Sequence, residues 1–151
     1  MNIEAQILEQ RHIDALAPRL QAGQAGQMRS LIENRGYASL MRAAGPCAAF
    51  LIDGQVAACA GLIDYPGTGR CVIWALYAGD MRRFFSVLYR KMLLTLKFYP
   101  RRRYEAYIDP TWRNARRLAS TLGFTCEGLM KSFEPDGSDR ELWALIQPEV
   151  K

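Results

Sequence analysis

The sequence predicts a mixed α/β (α+β) domain: a largely antiparallel sheet of about six to seven strands flanked by about four helices. Three observations carry this. The back half reads as a strand (YEAYI), an Asp-Pro turn, a helix stopped at Leu122-Gly123-Phe124, and two strand-like segments, CEGLMKSFEP and RELWALIQ. Asp53-Gly54 stands between two apolar runs, CAAFLI and VAACAGLI, a strong short-range hairpin signal. A run over about residues 80–98 repeats apolar residues at helical spacing.

The elements follow in order. Residues 3–8 predict a first strand, and residues 12–20 a short helix with Ile13, Leu16 and Leu20 on one face. GQAGQ breaks that pattern, and a second helix is expected from about 27 to 42, with Met28, Leu31, Ile32, Leu40 and Met41 as core positions and Gly36 weakening its middle. The hairpin comes next, then the YPGTG turn and a fourth strand over 71–77. In the long helix of 80–98, Asp80 is the expected N-cap. Phe84, Phe85, Leu88, Met92, Leu93 and Leu96 should face inward, and Arg82, Arg83, Arg90, Lys91 and Lys97 outward. Pro100 and three arginines lead into a fifth strand over 104–108. Asp109 then caps a helix over 111–122, Pro110 starts it, and Gly123 ends it in a left-handed turn. The closing strands flank PDGSD.

The chain has 151 residues, half of them hydrophobic, which predicts one domain spanning 1–151 with a substantial core. No apolar run approaches the ~20 residues of a membrane helix, so no membrane partner is expected. MNIEAQILEQRH has neither a long apolar core nor an Arg-rich, acid-poor composition, and a cytoplasmic location is the default expectation. Cys47, Cys59, Cys71 and Cys126 form no C-x-x-C pair, and with His12 as the single histidine the spacing of a zinc site is absent. The cysteines in AACAGL, CVIWAL and FTCEGL read as small buried hydrophobes. The net charge of +5 favours a polyanionic ligand, either nucleic acid or a phosphorylated cofactor, and composition leaves both open.

The order of elements and the Leu-Gly-Phe stop resemble the GCN5-related N-acetyltransferase (GNAT) superfamily across nearly the whole chain. The resemblance implies an acyltransferase that uses acetyl-CoA and an amine acceptor, either a small molecule or a protein. It also implies that the cofactor pyrophosphate rests on the helix start after the fourth strand, where orphan amides and the helix dipole favour an anion. The usual Q/R-x-x-G-x-G/A is replaced here by Gly79-Asp80-Met81-Arg82-Arg83-Phe84-Phe85-Ser86: the glycines are missing, Ser86 is small where the last belongs, and Arg82 and Arg83 supply charge. Leu76, Tyr77, Asn114 and Arg117 complete the cofactor-binding set that the resemblance implies. Many members read N-x-x-A-x-x-L-Y-x-x-x-G-F in the later helix. This chain keeps Ala115 and Leu118, has Trp112 for the Asn, and has Ala119 for the Tyr that serves as general acid.

A general base near the fourth and fifth strands is expected among Glu105, Asp109 and Asp80, with Tyr107 and Tyr77 as donors. Strand alternation puts Glu105, Tyr107 and Asp109 on one face. Against these roles, Asp109 also reads as a helix cap and Glu105 as a surface charge. Arg101-Arg102-Arg103-Tyr104 with Arg113, Arg116 and Arg117 reads as a site for the 3′-phosphate of coenzyme A, as a nucleic-acid patch, or as a solvated surface. Trp74-Ala75-Leu76, the glycine-free helix and R-x-L-A-x-x-L-G-F also resemble the GNAT-like proteins of tailed bacteriophages. That resemblance implies the alternative of a catalytically silent assembly or binding protein in host cytoplasm or virion, with homodimer or virion protein partners. A basic nucleic-acid-binding module is the third reading.

Overall fold

The computed structural model describes residues 1–20, 24, 34–79 and 85–148. Among them are seven strands and four helices, in the order β1 (Ile3–Ile7), α1 (Gln10–Leu16), α2 (Tyr37–Ala44), β2 (Cys47–Ile52), β3 (Gln55–Tyr65), β4 (Arg70–Tyr77), α3 (Phe85–Phe98), β5 (Arg103–Ile108), α4 (Arg113–Thr121), β6 (Thr125–Met130) and β7 (Arg140–Ile146). The strands are hydrogen-bonded in the order β1-β2-β3-β4-β5-β7-β6. The β1–β2, β2–β3, β5–β7 and β6–β7 pairs are antiparallel and β4–β5 is parallel, the mixed, mainly antiparallel sheet that the sequence predicts. The Asp-Gly hairpin forms as expected. Ile52 faces Gln55, and both turn residues have positive φ, 49° at Asp53 and 81° at Gly54, as a type I′ turn requires.

The chain divides into two compact units. The first holds β1, α1, α2, β2, β3 to Asp64, and β4 from Ile73. Its core gathers Leu8, Ile13, Leu16, Tyr37, Met41, Leu51, Trp74 and Leu76, with the Tyr37 and Trp74 rings edge to face at 6.1 Å. His12 is buried at the start of α1. Its Nδ1 accepts from the Glu9 N–H at 3.0 Å and its Nε2 lies 2.9 Å from Gln6 Oε1, so the ring closes the first turn as a neutral imidazole.

The second unit holds the start of β4 to Val72, α3, β5, α4, β6 and β7. Tyr104 on β5 is fully buried, and its hydroxyl lies 3.1 Å from the Leu96 carbonyl and 2.7 Å from that of Tyr99, tying the end of α3 to the strand. Gly123 has φ 97°; its N–H reaches Ser120 O, and the Phe124 N–H reaches Ala119 O, which is the Schellman stop read in the sequence.

Several boundaries and faces differ from expectation. Pro18 has no N–H to continue α1, which ends at Leu16 and passes into a 3-10 turn, Ala17–Arg19. Gly36 is the N-cap of α2 rather than its middle, and Leu40 is exposed; Met28, Leu31 and Ile32 lie outside the described residues. On α3, Phe85 and Leu93 are exposed and Leu96, near the C-terminal end, is the buried residue among those described; Asp80, Arg82, Arg83 and Phe84 lie outside the described residues. Helix α4 begins at Arg113, since Asp109 Oδ1 takes the Thr111 N–H and hydroxyl, at 2.8 and 2.7 Å, and holds a separate turn ahead of the helix. Cys59 and Cys71 are buried, but Cys126 is exposed because β6 is the last strand of the order and five of its six residues face solvent.

Burial, and then the Arg11 charge, lower the proton affinity of His12 below its ordinary 6.5. The neutral ring therefore contributes stability that is complete above pH ~6.5 and is lost as pH falls through the folded value. Urea unfolding from pH 7.5 to 5 should show that loss, and His12→Gln, which keeps a donor and an acceptor but does not titrate, should be flat over the same window.

Candidate active site

In the second unit, Arg70, Arg103 and Glu105 meet on one face of β5. Alternation places Arg103, Glu105 and Tyr107 together, while Tyr104 and Ile108 point into the core. The parallel register sets Arg70 opposite Arg103 and Val72 opposite Glu105, which brings a second guanidinium to the same carboxylate. Glu105 is only 7% exposed, which excludes the surface-charge reading. Its Oε1 lies 2.7 Å from Arg103 Nε and 3.2 Å from Arg70 Nε, and its Oε2 faces the Tyr107 hydroxyl at 3.5 Å. Arg103 also forks onto Glu127 of β6, at 3.0 and 2.5 Å. The Arg70 guanidinium stacks over the Tyr65 ring at 4.1 Å.

This arrangement sets the protonation of its members. Hydrogen bonds to Glu127 and Glu105 raise Arg103 above the ordinary arginine range, so it stays a cation throughout. Arg103 likewise lowers Glu127. Burial and then the Glu105 charge raise Tyr107, which keeps its phenol protonated at neutral pH and able to donate. Among the described contacts, Oε2 of Glu105 has the Tyr107 phenol at 3.5 Å, while Oε1 is engaged by both arginines.

The other expected residues scatter. Asp109 serves the turn described above and lies 4.0 Å from the buried Arg140 guanidinium. Ser86, Asn114 and Arg117 are all exposed, the last two on α4. Arg116 pairs instead with Glu141 of β7 at 2.9 Å. Arg101, Arg102 and Arg103 do not form one patch: Arg102 Nη2 holds the Thr68 carbonyl at 3.2 Å and Arg103, the first residue of β5, turns into the Glu105 cluster. Ala119, at the family's tyrosine position, is buried.

In the first unit, the end of β4 carries Leu76 and Tyr77. The Leu76 side chain belongs to the core, and the buried Tyr77 phenol is raised above its ordinary value by desolvation. Beside them sits a residue that sequence reasoning missed. Gln24 Nε2 donates to the Ala75 carbonyl at 2.7 Å, and the Tyr77 N–H donates to Gln24 Oε1 at 2.8 Å. Neither glutamine of GQAGQ gives a sign of this contact; the shared face of Glu105 and Tyr107, by contrast, was readable from strand alternation. Among the described residues, no group of three or more His, Cys, Asp or Glu side chains gathers to hold a metal.

No family profile matches the sequence, and no curated protein matches it. Its fold, however, is that of several solved structures. The ribosomal-protein-S18-alanine N-acetyltransferase of Escherichia coli superposes with a TM-score of 0.72 at 15% identity, over 99% of this chain and 97% of that one. A GNAT-family acetyltransferase of Bacillus anthracis gives 0.72 at 14%, over 97% and 95%. The yncA protein of Salmonella typhimurium, solved with its cofactor acetyl-CoA, gives 0.72 at 13%, over 100% and 97%. The chain therefore has the GNAT fold.

Removing Arg103 should leave Glu105 buried beside Arg70 alone and release Glu127. Arg103→Met should lower stability by about 1–3 kcal/mol in urea, the range for a lost charged hydrogen bond. The double variant with Glu105→Gln should lose less than the sum of the two single changes, since the groups act as one network.

Proposed function

We propose that the protein is an acetyl-CoA-dependent N-acetyltransferase of a single domain, in which an amine attacks the thioester directly. The observation that carries this reading is the carboxylate of Glu105, with one oxygen engaged by two arginines and the other facing a protonated phenol, on the fifth strand of a GNAT fold.

Acetyl-CoA supplies an activated acyl group, and its fit can be tested against the backbone of β4. The Ala75 carbonyl and Tyr77 N–H already hold a carboxamide, so that edge accepts an amide in an extended arm. Leu76 and Tyr77 lie along that arm in this reading; Arg82 and Arg83, with Ser86, take the pyrophosphate; and Asn114 and Arg117 lie toward the rest of the cofactor. Glu105 Oε2, directly or through a water, takes the proton that the amine releases as it acylates. Tyr107 donates to the departing thiolate side, a task left open by Ala119. Arg103 and Arg70 fix the carboxylate so that Oε2 is the oxygen presented. Asp109 stays a turn residue that orients the strand end. The acceptor, small molecule or protein, binds as a free amine.

Acetyl-CoA at about 100 times its dissociation constant should raise unfolding stability by about 2.7 kcal/mol. The double change Arg82→Ala and Arg83→Ala should weaken binding by about 1–3 kcal/mol in isothermal titration. A parent protein that binds no acetyl-CoA would overturn the enzyme reading and favour the catalytically silent alternative.

The chemical step has its own test. Glu105→Gln should slow amine acetylation about 100-fold or more at pH 7 while leaving acetyl-CoA affinity within about threefold, and a less basic acceptor should recover part of the rate. Full activity of that variant from pH 6 to 9 would remove Glu105 from the chemistry.

A further inference from the structure

The second edge of β4 has an occupant, the Gln24 carboxamide, that stands where the acyltransferase reading puts the amide-bearing arm of the donor. The Ala78 N–H bonds Ala57 O of β3, so by strand alternation Ala75, Tyr77 and Gly79 turn their backbone groups to the opposite edge. On that edge the parallel pairing with β5 ends at Val72↔Glu105. The Gly79 N–H finds Arg19 O at 2.8 Å, beside an antiparallel bridge from Leu20 to Ala78. Between these two stretches, the Gln24 side chain pairs with both the Ala75 carbonyl and the Tyr77 N–H.

The geometry is that of one rung of a strand. A carboxamide offers one N–H and one C=O in a plane, as a peptide group does, and Gln24 uses both on residues two apart. It is 7% exposed, so the contact is made away from water, where a backbone pair left unsatisfied would be costly. A buried amide that copies a strand partner marks the position where an extended chain bearing secondary amides would pair.

We propose that Gln24 is a self-ligand: its carboxamide holds the amide-binding rung of β4 in the free protein and must leave before the amide-bearing arm of an acyl donor can pair with Ala75 and Tyr77. The ligand class is an extended thiol or thioester carrying secondary amides, as in pantetheine and acetyl-CoA. This rests on the acyltransferase reading for the identity of the donor, but not for the contact itself. The consequence is a built-in threshold. Donor binding competes with Gln24, and ligands that lack amides do not.

Three proteins test this: the parent, Gln24→Ala, and Gln24→Glu, which keeps the shape but cannot donate to Ala75 O. In the free proteins, hydrogen exchange at the Tyr77 amide should quicken in Gln24→Ala by about tenfold or more while the Ala78 amide, bonded to β3, is unchanged. Titrations should show acetyl-CoA and pantetheine binding about tenfold tighter to Gln24→Ala, with Gln24→Glu between it and the parent, and adenosine 3′,5′-bisphosphate, which has no amide arm, binding all three equally. Unchanged or weaker binding of acetyl-CoA to both variants would overturn the proposal, as would an equal change for the bisphosphate. If no protein binds acetyl-CoA, the acyltransferase reading fails. The self-ligand is then decided by pantetheine at millimolar concentration, which must restore slow Tyr77 exchange in Gln24→Ala, and failure to do so overturns it.

Discussion

The backbone of β4 is the constraint from which the rest of the site follows. A buried strand must satisfy the N–H and C=O groups on both of its edges, and on one edge β5 supplies a partner for only three residues, Arg70 to Val72. Those three pairs set Arg70 beside Arg103 and put Glu105 between two guanidiniums. Beyond them the edge needs other partners, and the Arg19 carbonyl and the Gln24 side chain provide them. The charged face of β5 is a consequence of that short pairing.

In the proposed mechanism the atoms of the Glu105 cluster divide the work between folding and chemistry. Oε1 is bound by arginines, which offsets the cost of taking a carboxylate out of water. Oε2 faces a phenol that burial keeps protonated. The ion pairs engage Oε1, and the proposed chemistry rests on the second oxygen. The fold by itself assigns no activity, since one architecture hosts unrelated functions, and the argument for catalysis lies in these atoms rather than in the superpositions.

Much of the architecture was legible from local signals. Asp53-Gly54 specified its turn because few other pairs accept positive φ at both positions. Leu122-Gly123-Phe124 specified the end of α4 because its hydrogen-bond pattern places Gly123 in the left-handed region. Besides the helix boundaries at Pro18, Gly36 and Asp109, the expectations that failed were those about depth. Phe85, Leu93, Leu40 and Cys126 sit in apolar stretches and are nonetheless exposed, since hydrophobic periodicity names a face and says nothing of whether a partner covers it.

The sequence alone determined the order of strands and helices, the turns between them and the shared face of Glu105 and Tyr107, because each depends on spacings of two to four residues that backbone geometry converts directly into direction. Tertiary structure decided which charges meet. Arg70 reaches Glu105 from 35 positions away only through the β4–β5 register, and Gln24 reaches Tyr77 from 53 positions away only because an open strand edge needed an amide. Pairing across such distances depends on which backbone groups are left over once the sheet has formed, and no short stretch of sequence records that.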